Sequence, residues 1–557
     1  MLSRLFIVLG FSFCFSQDSI SIQNINLEYQ NLKRDIYHFD FNNLGDPQLL
    51  LTLFNDDKNL SLSHYSYINR NANNGIRRQY VPLDSIYSHI FYKSAYNSGG
   101  TIETVLKRPI GQYMKLDFLY HNLSSEGFYS NQENKSSSLF FSINYFNNKK
   151  PYSYSLSFYS NNGFYKQNGG SIYDSSQDSE LMLSYMSSAE TTIRNRELNL
   201  VQQYSLTQNL ELTHNFTYNF FNRNFNDLNP QSFYYSMTPL FFLIESDYSL
   251  NSFYYRAFNA FSISNKKINF TINHNYYNTE VFKSNNFGDF DILLSRSQLD
   301  GEINNFNFLF NFCPIGYNKN SYLIDLSFNQ KWNYFDNKLV LNIKSKKPHF
   351  FTRHYNTSYS FELNDFSPIT NSSLSYELKN SSRLVSFSSI LHYYKNYLYF
   401  NSLASPVQEV NSILYFNFIL NKQWNLKNFM FRSNMCLQKS NNVAISLPSF
   451  LINQEIQYRK VISNNLKLYS SINLGVFSKY YVNSFFPLTD VFYNQLEEKK
   501  GLIPLISLEC TLYRDNFYIG LNFKNLNNLF FEGQSLVMNY PISPQFVQLC
   551  IKWNFFD

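Results

Sequence analysis

The chain has 557 residues, a formal net charge of +6, 19% aromatic residues and 15% charged residues. Soluble domains carry about a quarter charged residues, and no linker or change of composition divides this chain, so a string of soluble domains is not expected. The negative mean hydropathy and the lack of any run of about 18 apolar residues argue against a helical membrane protein, and the mild charge without a Lys/Arg-rich stripe argues against nucleic acid as a partner.

Residues 1–16 differ from everything that follows them. Arg4 precedes a largely apolar run, Leu5 to Phe15, and the small residues Cys14 and Ser16 stand at its end. This order is typical of a secretory signal peptide, which we predict to be cleaved after Ser16. Cys14 as a lipoprotein cysteine is the alternative, but the residue before it is not the small one that such a site needs. The run is too short for a membrane anchor, so export is predicted.

Residues 17–85 are predicted to be a lead-in segment ahead of the main fold. From Gln17 to about Asn59 the sequence mixes Asp, Asn and Leu-rich pieces and lacks sustained alternation. A short periplasmic lead-in, a plug-like segment and an irregular first strand all fit this composition. A plug would lie inside the wall of the fold that follows, whereas an open pore would leave that interior clear.

Residues 86–557 alternate apolar or aromatic residues with Ser, Asn, Thr or charged residues. The period of two in Tyr152 to Phe158, Leu210 to Phe220 and Ile268 to Tyr276 is typical of β-strands. Strands of roughly 8 to 11 residues can cross a bilayer when tilted. We therefore predict an all-β fold, a single transmembrane antiparallel β-barrel of roughly 18 to 22 strands, with an even number expected. A soluble β-sandwich or solenoid is the alternative, and the signal peptide and aromatic excess weigh against it.

Short and long polar stretches separate the strands. Short turns are predicted at Asn147 to Lys150, Asn265 to Lys267, Asp336 to Lys338 and Asn464 to Asn465. Longer polar stretches are Gly170 to Glu180, Phe282 to Glu302 and Phe485 to Gly501. Tight turns on one side and long loops on the other are typical of an outer-membrane barrel.

Seven charged residues lie in the polar phase of the predicted strands. A charge on the lipid face costs about 2 to 4 kcal/mol at the bilayer midplane, so these side chains are predicted to point into the lumen. A lumen lined by charges of both signs is hydrated. The seven residues are Lys115, Asp117, Glu211, Asp325, Glu377, Lys379 and Lys467.

Catalytic and metal-binding motifs are absent from the sequence. No HExxH, GxSxG, GxGxxG or P-loop spacing occurs. Cys313, Cys436, Cys510 and Cys550 are widely separated and form no CxxC pair, so neither a zinc site nor a disulfide framework is indicated. We predict no enzymatic activity, no catalytic residues, no cofactor and no metal. A Ser and a His meeting at the barrel rim would be needed for the alternative, an outer-membrane hydrolase.

Several stretches near both ends of the chain resemble one known family. Toward the N-terminus they are Ile86 to Tyr92, the strand Tyr113 to Asn122, the "S-x-G-x-Y-x-N-Q" motif Ser125 to Gln132, and Gln167 to Gly170; toward the C-terminus they are Tyr480-Tyr481, Phe492 to Gln495 and Val547 to Asp557. These resemble the putative porin family of Bacteroidetes outer membranes. The chain departs from the family by ending in Asp557 rather than in an aromatic residue, so Phe555 or Phe556 would serve as the terminal aromatic.

The resemblance singles out five residues with a structural role, Gly127, Tyr129, Gln132, Gly169 and Gly170. Glycine permits positive φ and tight bends, so Gly127 and the Gly169-Gly170 pair are predicted to be barrel corners or loop tips rather than ligand contacts.

The resemblance implies a barrel in the outer membrane of a Gram-negative bacterium. The function expected is that of a porin, which passes small hydrophilic solutes by passive diffusion through a water-filled lumen. The alternatives are a substrate-specific or lipid-handling barrel with a plugged lumen and a non-conducting structural barrel. The expected partners are outer-membrane lipid and lipopolysaccharide, the barrel-insertion machinery and small solutes, and the chain could assemble as a homo-oligomer.

Overall fold

The structure is a computed structural model, and it describes most of the residues from 86 onward together with two short pieces before them. None of the helical turns in this part of the chain is long and apolar enough to span a bilayer. The predicted signal peptide lies outside the described residues. The described residues are 38–40, 43–53, 86–147, 149–171, 182–230, 234–235, 248–265, 268–279, 286–296, 304–332, 334–352, 354–356, 360–362, 365–380, 382–463, 465–531 and 534–555.

Among the described residues, 22 long antiparallel strands form one closed barrel. Consecutive strands pair with each other, and the last pairs with the first from Ser88 opposite Phe555 to Lys93 opposite Cys550. The prediction of an all-β barrel of 18 to 22 strands is confirmed. The strands are β1 Tyr87–Ser94, β2 Gly99–Ile110, β3 Met114–Ser125, β4 Asn134–Tyr145, β5 Tyr152–Gln167, β6 Ala189–Ser205, β7 Leu210–Asp227, β8 Tyr248–Asn265, β9 Ile268–Asn278, β10 Asn286–Arg296, β11 Asn304–Gly316, β12 Tyr322–Trp332, β13 Phe335–Lys346, β14 Ile369–Asn380, β15 Val385–Lys395, β16 Ile413–Leu426, β17 Phe429–Ser440, β18 Phe450–Ser463, β19 Leu466–Phe477, β20 Leu505–Arg514, β21 Phe517–Lys524 and β22 Phe546–Phe555.

Alternation along each strand separates an apolar outer face from a polar inner face. On β14, Leu374 is 48% exposed on the outer face, whereas its neighbour Ser373 on the inner face is 4% exposed. The same contrast holds for Phe270 and Ile272 of β9, which are exposed, against Thr271, which is buried. An exposed apolar band around a closed sheet suits contact with lipid, because every strand edge is hydrogen-bonded.

The two ends of the barrel differ in the length of their connections. At one end, called the turn end, connections such as residues 206–209 and 515–516 join β6 to β7 and β20 to β21. At the other, called the loop end, residues 478–504 join β19 to β20 and residues 525–545 join β21 to β22. All three tryptophans, Trp332, Trp424 and Trp553, lie at the turn end and are 69%, 49% and 53% exposed. Amphipathic indole rings in this position mark a membrane interface.

Two of the predicted connections are wrong. The stretch Phe282 to Glu302 was expected to be a loop, yet it contains β10, which pairs with both β9 and β11. Its inner face carries Asp289 and Asp291, and these charges hide the alternation of Phe290, Ile292 and Leu294. The predicted turn Asp336 to Lys338 lies inside β13, because Trp332 pairs with Phe335 and leaves only positions 333 and 334 for the turn.

Short hairpins and helical turns at the loop end and in the N-terminal piece complete the described fold. They do not belong to the wall, although His354–Asn356 pairs with β8 at Asn251 opposite Asn356. The hairpin pairs are His38–Asp40 with Gln48–Leu50, His354–Asn356 with Ser360–Glu362, Leu398–Phe400 with Pro406–Gln408, Tyr480–Tyr481 with Lys499–Lys500, Ser484–Phe486 with Val491–Tyr493, and Ser535–Val537 with Tyr540–Pro541; the 3-10 turns are Phe350–Thr352 and Leu526–Leu529.

The outer face of β14 provides a test of the lipid assignment. We expect Leu374→Arg to lower the free energy of unfolding in lipid vesicles by about 2 to 4 kcal/mol, because it places a charge in the apolar band midway along the strand. Urea titration of the refolded protein, followed by its heat-modifiable gel mobility, measures this. The control Ser375→Arg puts the same charge on the inner face and should change stability much less; equal losses would contradict the assignment.

Candidate functional site: the barrel interior

The seven charges predicted to line the lumen all lie on the inner face of their strands, next to buried polar residues. Asp117 of β3 is buried and accepts hydrogen bonds from Ser142 Oγ at 3.0 Å and Asn144 Nδ2 at 3.2 Å. Asp325 of β12 accepts from Asn342 Nδ2 at 3.1 Å. These carboxylates are held by neutral donors on neighbouring strands.

The structure places the seven charges as two neighbouring pairs, Lys115 with Asp117 on β3 and Glu377 with Lys379 on β14, and three separate residues. Lys379 Nζ lies 3.6 Å from Glu377 Oε2 on β14. Lys115 stands beside the turn end of β3, Glu211 beside that of β7 and Lys467 beside that of β19. With the exception of Asp325, the predicted charges therefore belong to the half of the wall near the turn end.

The inner face of β7 shows how the wall changes from one end to the other. From the turn end it presents Glu211 and then the polar series Thr213, Asn215, Thr217 and Asn219. Beyond these it presents Phe221, Arg223 and Phe225, all buried. On β7 the loop half of the inner face is thus covered from inside, whereas its polar half near the turn end matches the predicted lumen lining.

A large apolar cluster packs against the inside of the wall at the loop end. It joins wall residues to side chains from the connections β5–β6, β7–β8, β13–β14, β15–β16 and β19–β20, so the described parts of these loops that carry them fold inward. Fully buried aromatic rings in this position exclude water from the middle of the cluster. Its buried members are Tyr165, Met186, Ala189, Ile193, Phe221, Phe225, Tyr234, Tyr235, Tyr248, Leu250, Phe350, Phe351, Tyr355, Phe400, Ala404, Phe486, Leu488 and Val491.

Arg223 fastens the β19–β20 loop to the opposite wall. Its guanidinium donates to Pro487 O at 2.6 Å and Leu488 O at 2.9 Å, and its Nε lies 3.9 Å from Asp490 Oδ2. Both charged residues are almost completely buried, at 2% and 0% exposure. Counting through β22 and β1, β7 is ten strands from β19 in the ring of 22. The loop therefore reaches across the interior.

His349 sits where the β13–β14 loop enters the same cluster. Its ring stacks on Phe350 with 4.1 Å between centroids, and its Nδ1 accepts the Phe351 N–H at 3.3 Å. Burial, and secondly the positive charge of Lys346, lower the pKa of His349 to about 3. The docked loop therefore holds a neutral imidazole with its proton on Nε2.

Residues 43–46 of the lead-in segment bind the wall beside β3 and β4. Asn43 Nδ2 donates to Gln132 O at 2.6 Å, and the Ser125 hydroxyl bonds to Asn43 Oδ1. The Asp46 carboxylate accepts from Asn134 Nδ2 at 2.6 Å and Gln132 Nε2 at 3.3 Å. Asn43 and Asp46 are buried, and their partners Ser125 and Asn134 lie on the inner face of the wall.

Residues 51–53 bind a second part of the wall. Gln438 Nε2 of β17 donates to Leu51 O at 2.7 Å, Asn417 Nδ2 of β16 donates to Thr52 Oγ1 at 2.5 Å, and the Leu53 N–H donates to the Tyr415 hydroxyl at 3.3 Å. Counting through β1 and β22, β4 and β16 are ten strands apart. Residues 43–53 therefore bind two nearly opposite parts of the wall and cross the interior between them.

Apolar side chains of this crossing segment pack against other inward loops. Leu49 and Leu51 belong to a cluster with Phe485 of the β19–β20 loop and with Leu536 and Tyr540 of the β21–β22 loop. The crossing segment and the loops therefore form one packed layer at the loop end.

The family-motif residues lie in this layer and hold its pieces together. Gly127 and Gly170 have φ of +81° and +99°, and a Cβ on Gly127 would lie 2.7 Å from Gln132 Oε1. A Cβ on Gly170 would lie 2.7 Å from Asn539 O, while Gly169 has φ of +68°. The Tyr129 hydroxyl donates to Ile542 O at 3.3 Å. These glycines allow close approach between loops as well as tight bends.

The described residues contain no group of three or more His, Cys, Asp or Glu side chains that could hold a metal ion. Cys313, Cys436 and Cys550 are buried free thiols and Cys510 is half-buried.

Nearly the whole sequence matches one known family. The sequence matches the family described as Putative porin over residues 16–557. The chain belongs to this family. The resemblance drawn from the motifs at both ends is thereby confirmed, and none of the curated proteins matches the chain. Family membership and the closed barrel together indicate an outer-membrane protein.

Solved structures with a similar barrel show the fold of this Putative porin chain in other proteins. BauA, the ferric preacinetobactin receptor from Acinetobacter baumannii, has a TM-score of 0.56 and 9% identity over 85% of this chain and 80% of that chain. The FrpB iron transporter from Neisseria meningitidis has a TM-score of 0.58 and 10% identity, over 85% of this chain and 82% of that chain. The copper transporter OprC has a TM-score of 0.61 and 8% identity, over 84% of this chain and 80% of that chain. At these identities the likeness concerns the fold alone.

Sequence reasoning missed the residues that pack inside the barrel at the loop end. Arg223 lies in the same inner phase as Glu211 and could have been added to the predicted lumen charges. Its partner Asp490 and the histidine His349 lie in loops, where periodicity carries no information about position. The pairing of Asp46 with Gln132 joins residues 86 positions apart, and nothing in the sequence pattern signals it.

Arg223→Leu tests whether the ion pair fastens the β19–β20 loop. Because Asp490 would stay buried without its cation, which costs about 3 to 5 kcal/mol, we expect the hydrogen-exchange protection of residues 484–493 to fall about 100-fold or more. The control Arg432→Leu removes another inner-wall ion pair, which Arg432 forms with Glu455 at 3.1 Å away from this loop, and should leave these amides protected. Equal protection in both variants would contradict the fastening role.

The neutral His349 predicts that acid loosens the β13–β14 loop. A released histidine has a pKa near 6.5 whereas the docked one has a pKa of about 3, so docking is strongest above pH 6.5 and weakens as the pH falls toward 3. At pH 5 the loss is at most about 2 kcal/mol, or about 30-fold in protection factor. Hydrogen exchange corrected for intrinsic rates measures this. His349→Phe keeps an aromatic ring but cannot be protonated, and an equal acid response in that variant would refute the role of His349.

Proposed function

We propose that the protein is a transport barrel of the Gram-negative outer membrane that is occluded at rest. Small hydrophilic solutes enter the polar half of its interior, and passage requires the crossing segment, residues 43–53, and the inward loops to move. The proposal assigns no catalytic step and no cofactor.

The observation that carries this proposal is the crossing segment itself. A passive pore would need the interior clear, but residues 43–53 bind two nearly opposite parts of the wall and pack against the inward loops. Outer-membrane barrels of about 22 strands are generally plugged, whereas porins with an open aqueous channel have about 16 to 18 strands.

The chemistry of the transported solute is proposed from the wall of this chain. Asp117, Glu211, Glu377 and Lys467 supply both signs of charge, and serine and asparagine side chains supply donors and acceptors between them. Such a lining suits small hydrophilic solutes. The iron and copper transporters named above share the barrel at an identity that carries no information about the solute.

The membrane and its assembly machinery complete the proposal. The exposed apolar band would contact outer-membrane lipid and lipopolysaccharide, with Trp332, Trp424 and Trp553 at the interface of the turn end. The barrel-insertion machinery would read the last strand, β22, which ends in the aromatic residue Phe555 among those described.

A second candidate function, passive diffusion through a porin, is favoured by the charges near the turn end. Lys115, Asp117, Glu377 and Lys379 line the wall with both signs, as expected for a hydrated pore. In that case a gap between the wall and the packed layer would have to conduct.

Single-channel recording in planar bilayers separates the two candidates. We expect the wild-type protein to be silent or to open rarely, and Arg223→Leu to open more often because it releases the β19–β20 loop from β7. Steady ohmic openings of the wild-type protein that scale with salt would reject occlusion and establish passive diffusion. Arg432→Leu is the control, since it breaks an ion pair outside the packed layer.

A further inference from the structure

Gln132, the last residue of the family motif, bonds in two directions. Its Oε1 accepts the backbone N–H groups of Phe128 at 3.1 Å and Tyr129 at 3.2 Å, which fixes the motif loop. Its Nε2 points the other way and donates to Asp46 Oδ2 at 3.3 Å. One side chain thus connects the shape of the motif loop to the crossing segment.

The crossing segment presents a compact turn to this loop. Asp46 Oδ2 accepts the Asn43 N–H at 3.1 Å, and Gly45 takes φ of +86° between them. Asn134, the first residue of β4, donates through its Nδ2 to Leu44 O at 3.0 Å and to Asp46 Oδ1 at 2.6 Å. Apart from Asn43 Nδ2, which donates to Gln132 O, the turn offers acceptors to donors on the wall.

Two glycines allow the turn and the loop to approach closely. A Cβ on Gly45 would lie 3.2 Å from Leu123 Cδ2, and a Cβ on Gly127 would lie 2.9 Å from Asn43 Nδ2. Both have positive φ, which side-chain-bearing residues rarely adopt. The glycine of the motif is therefore required by the crossing segment as well as by the motif loop.

We propose that the family motif from Ser125 to Gln132, together with Asn134, is a docking site whose ligand is the chain's own turn Asn43 to Asp46. This site keeps the crossing segment in place, and undocking of the turn is a step in opening the interior. The role of undocking in opening the interior rests on the proposed function, whereas the docking of the turn does not depend on it.

Polar docking makes the contact reversible. The turn is held at this end by hydrogen bonds, two of them to the carboxylate of Asp46, and hydrogen bonds to a charged group are stronger than neutral ones. No covalent link forms, and the donors Gln132 and Asn134 can bind water once the turn leaves. An apolar contact of the same size would expose apolar surface to water on release.

Thiol labelling tests the docking in the full-length chain. In a Leu49→Cys background, a water-soluble maleimide should react slowly, because Leu49 is 5% exposed. Asp46→Asn replaces one of the two acceptor oxygens that face the wall donors Gln132 and Asn134 with an NH2 donor, and it leaves the wall unchanged. We therefore expect labelling at position 49 to become about tenfold faster or more. Mass spectrometry separates this label from that on the native cysteines.

Asp325→Asn is the matched control, because it makes the same change at a carboxylate that also accepts from an asparagine but lies on β12. It should leave the labelling rate unchanged. Gln132→Ala removes the donor from the wall side and should raise the rate as Asp46→Asn does, and the double variant should be no faster than the faster single variant. Equal labelling in Asp46→Asn and Asp325→Asn would overturn the docking site, whatever the conductance.

Conductance of the same Asp46→Asn variant separates docking from transport. Openings that the wild-type protein lacks would support undocking as a step in opening. Faster labelling without new channel openings would overturn undocking as a step in opening. The inward loops alone would then keep the interior closed. Faster labelling in a protein whose wild type already conducts steadily would keep the docking site and reject the occluded barrel.

Discussion

Closure of the sheet is the constraint on which the rest of the structure depends. A strand edge in lipid would leave backbone groups without hydrogen-bond partners, so the wall must be continuous from β1 to β22. A ring of 22 strands then encloses an interior too wide for its own wall side chains to fill. Protein that occupies this interior must come from loops or from segments outside the wall. In this protein the inward loops and the crossing segment both contribute.

The interior is divided because its two ends contain different material. Near the turn end, connections such as residues 206–209 are too short to fold inward, so the wall beside them keeps polar side chains such as Thr213 and Asn215. At the loop end long connections fold inward, and the wall there presents Phe221 and Phe225 to them. The Arg223 guanidinium can be buried in this half because Asp490 and two loop carbonyls replace the water molecules that would otherwise hydrate it.

Alternation predicted the wall but not its contents. Side-chain period depends on local backbone geometry, so strands, their inner phase and the charges near the turn end could be predicted from sequence. β10 was missed because Asp289 and Asp291 fall in its inner phase and make the segment look like a loop. The packed layer depends on contacts between distant residues, such as Asp46 with Gln132, and periodicity does not report these.

The two anchors of the crossing segment differ in a way that indicates which one opens. Leu49, Leu51 and Leu53 bury apolar surface, worth about 1.5 to 3 kcal/mol for each fully buried side chain. The turn at Asn43 and Asp46 buries polar groups instead, whose net contribution is smaller because water replaces lost hydrogen bonds. Release should therefore begin at the turn and extend to Leu49, with Leu51 and Leu53 still held by β16 and β17. The segment would swing on that attachment and remain inside the barrel, ready to dock again.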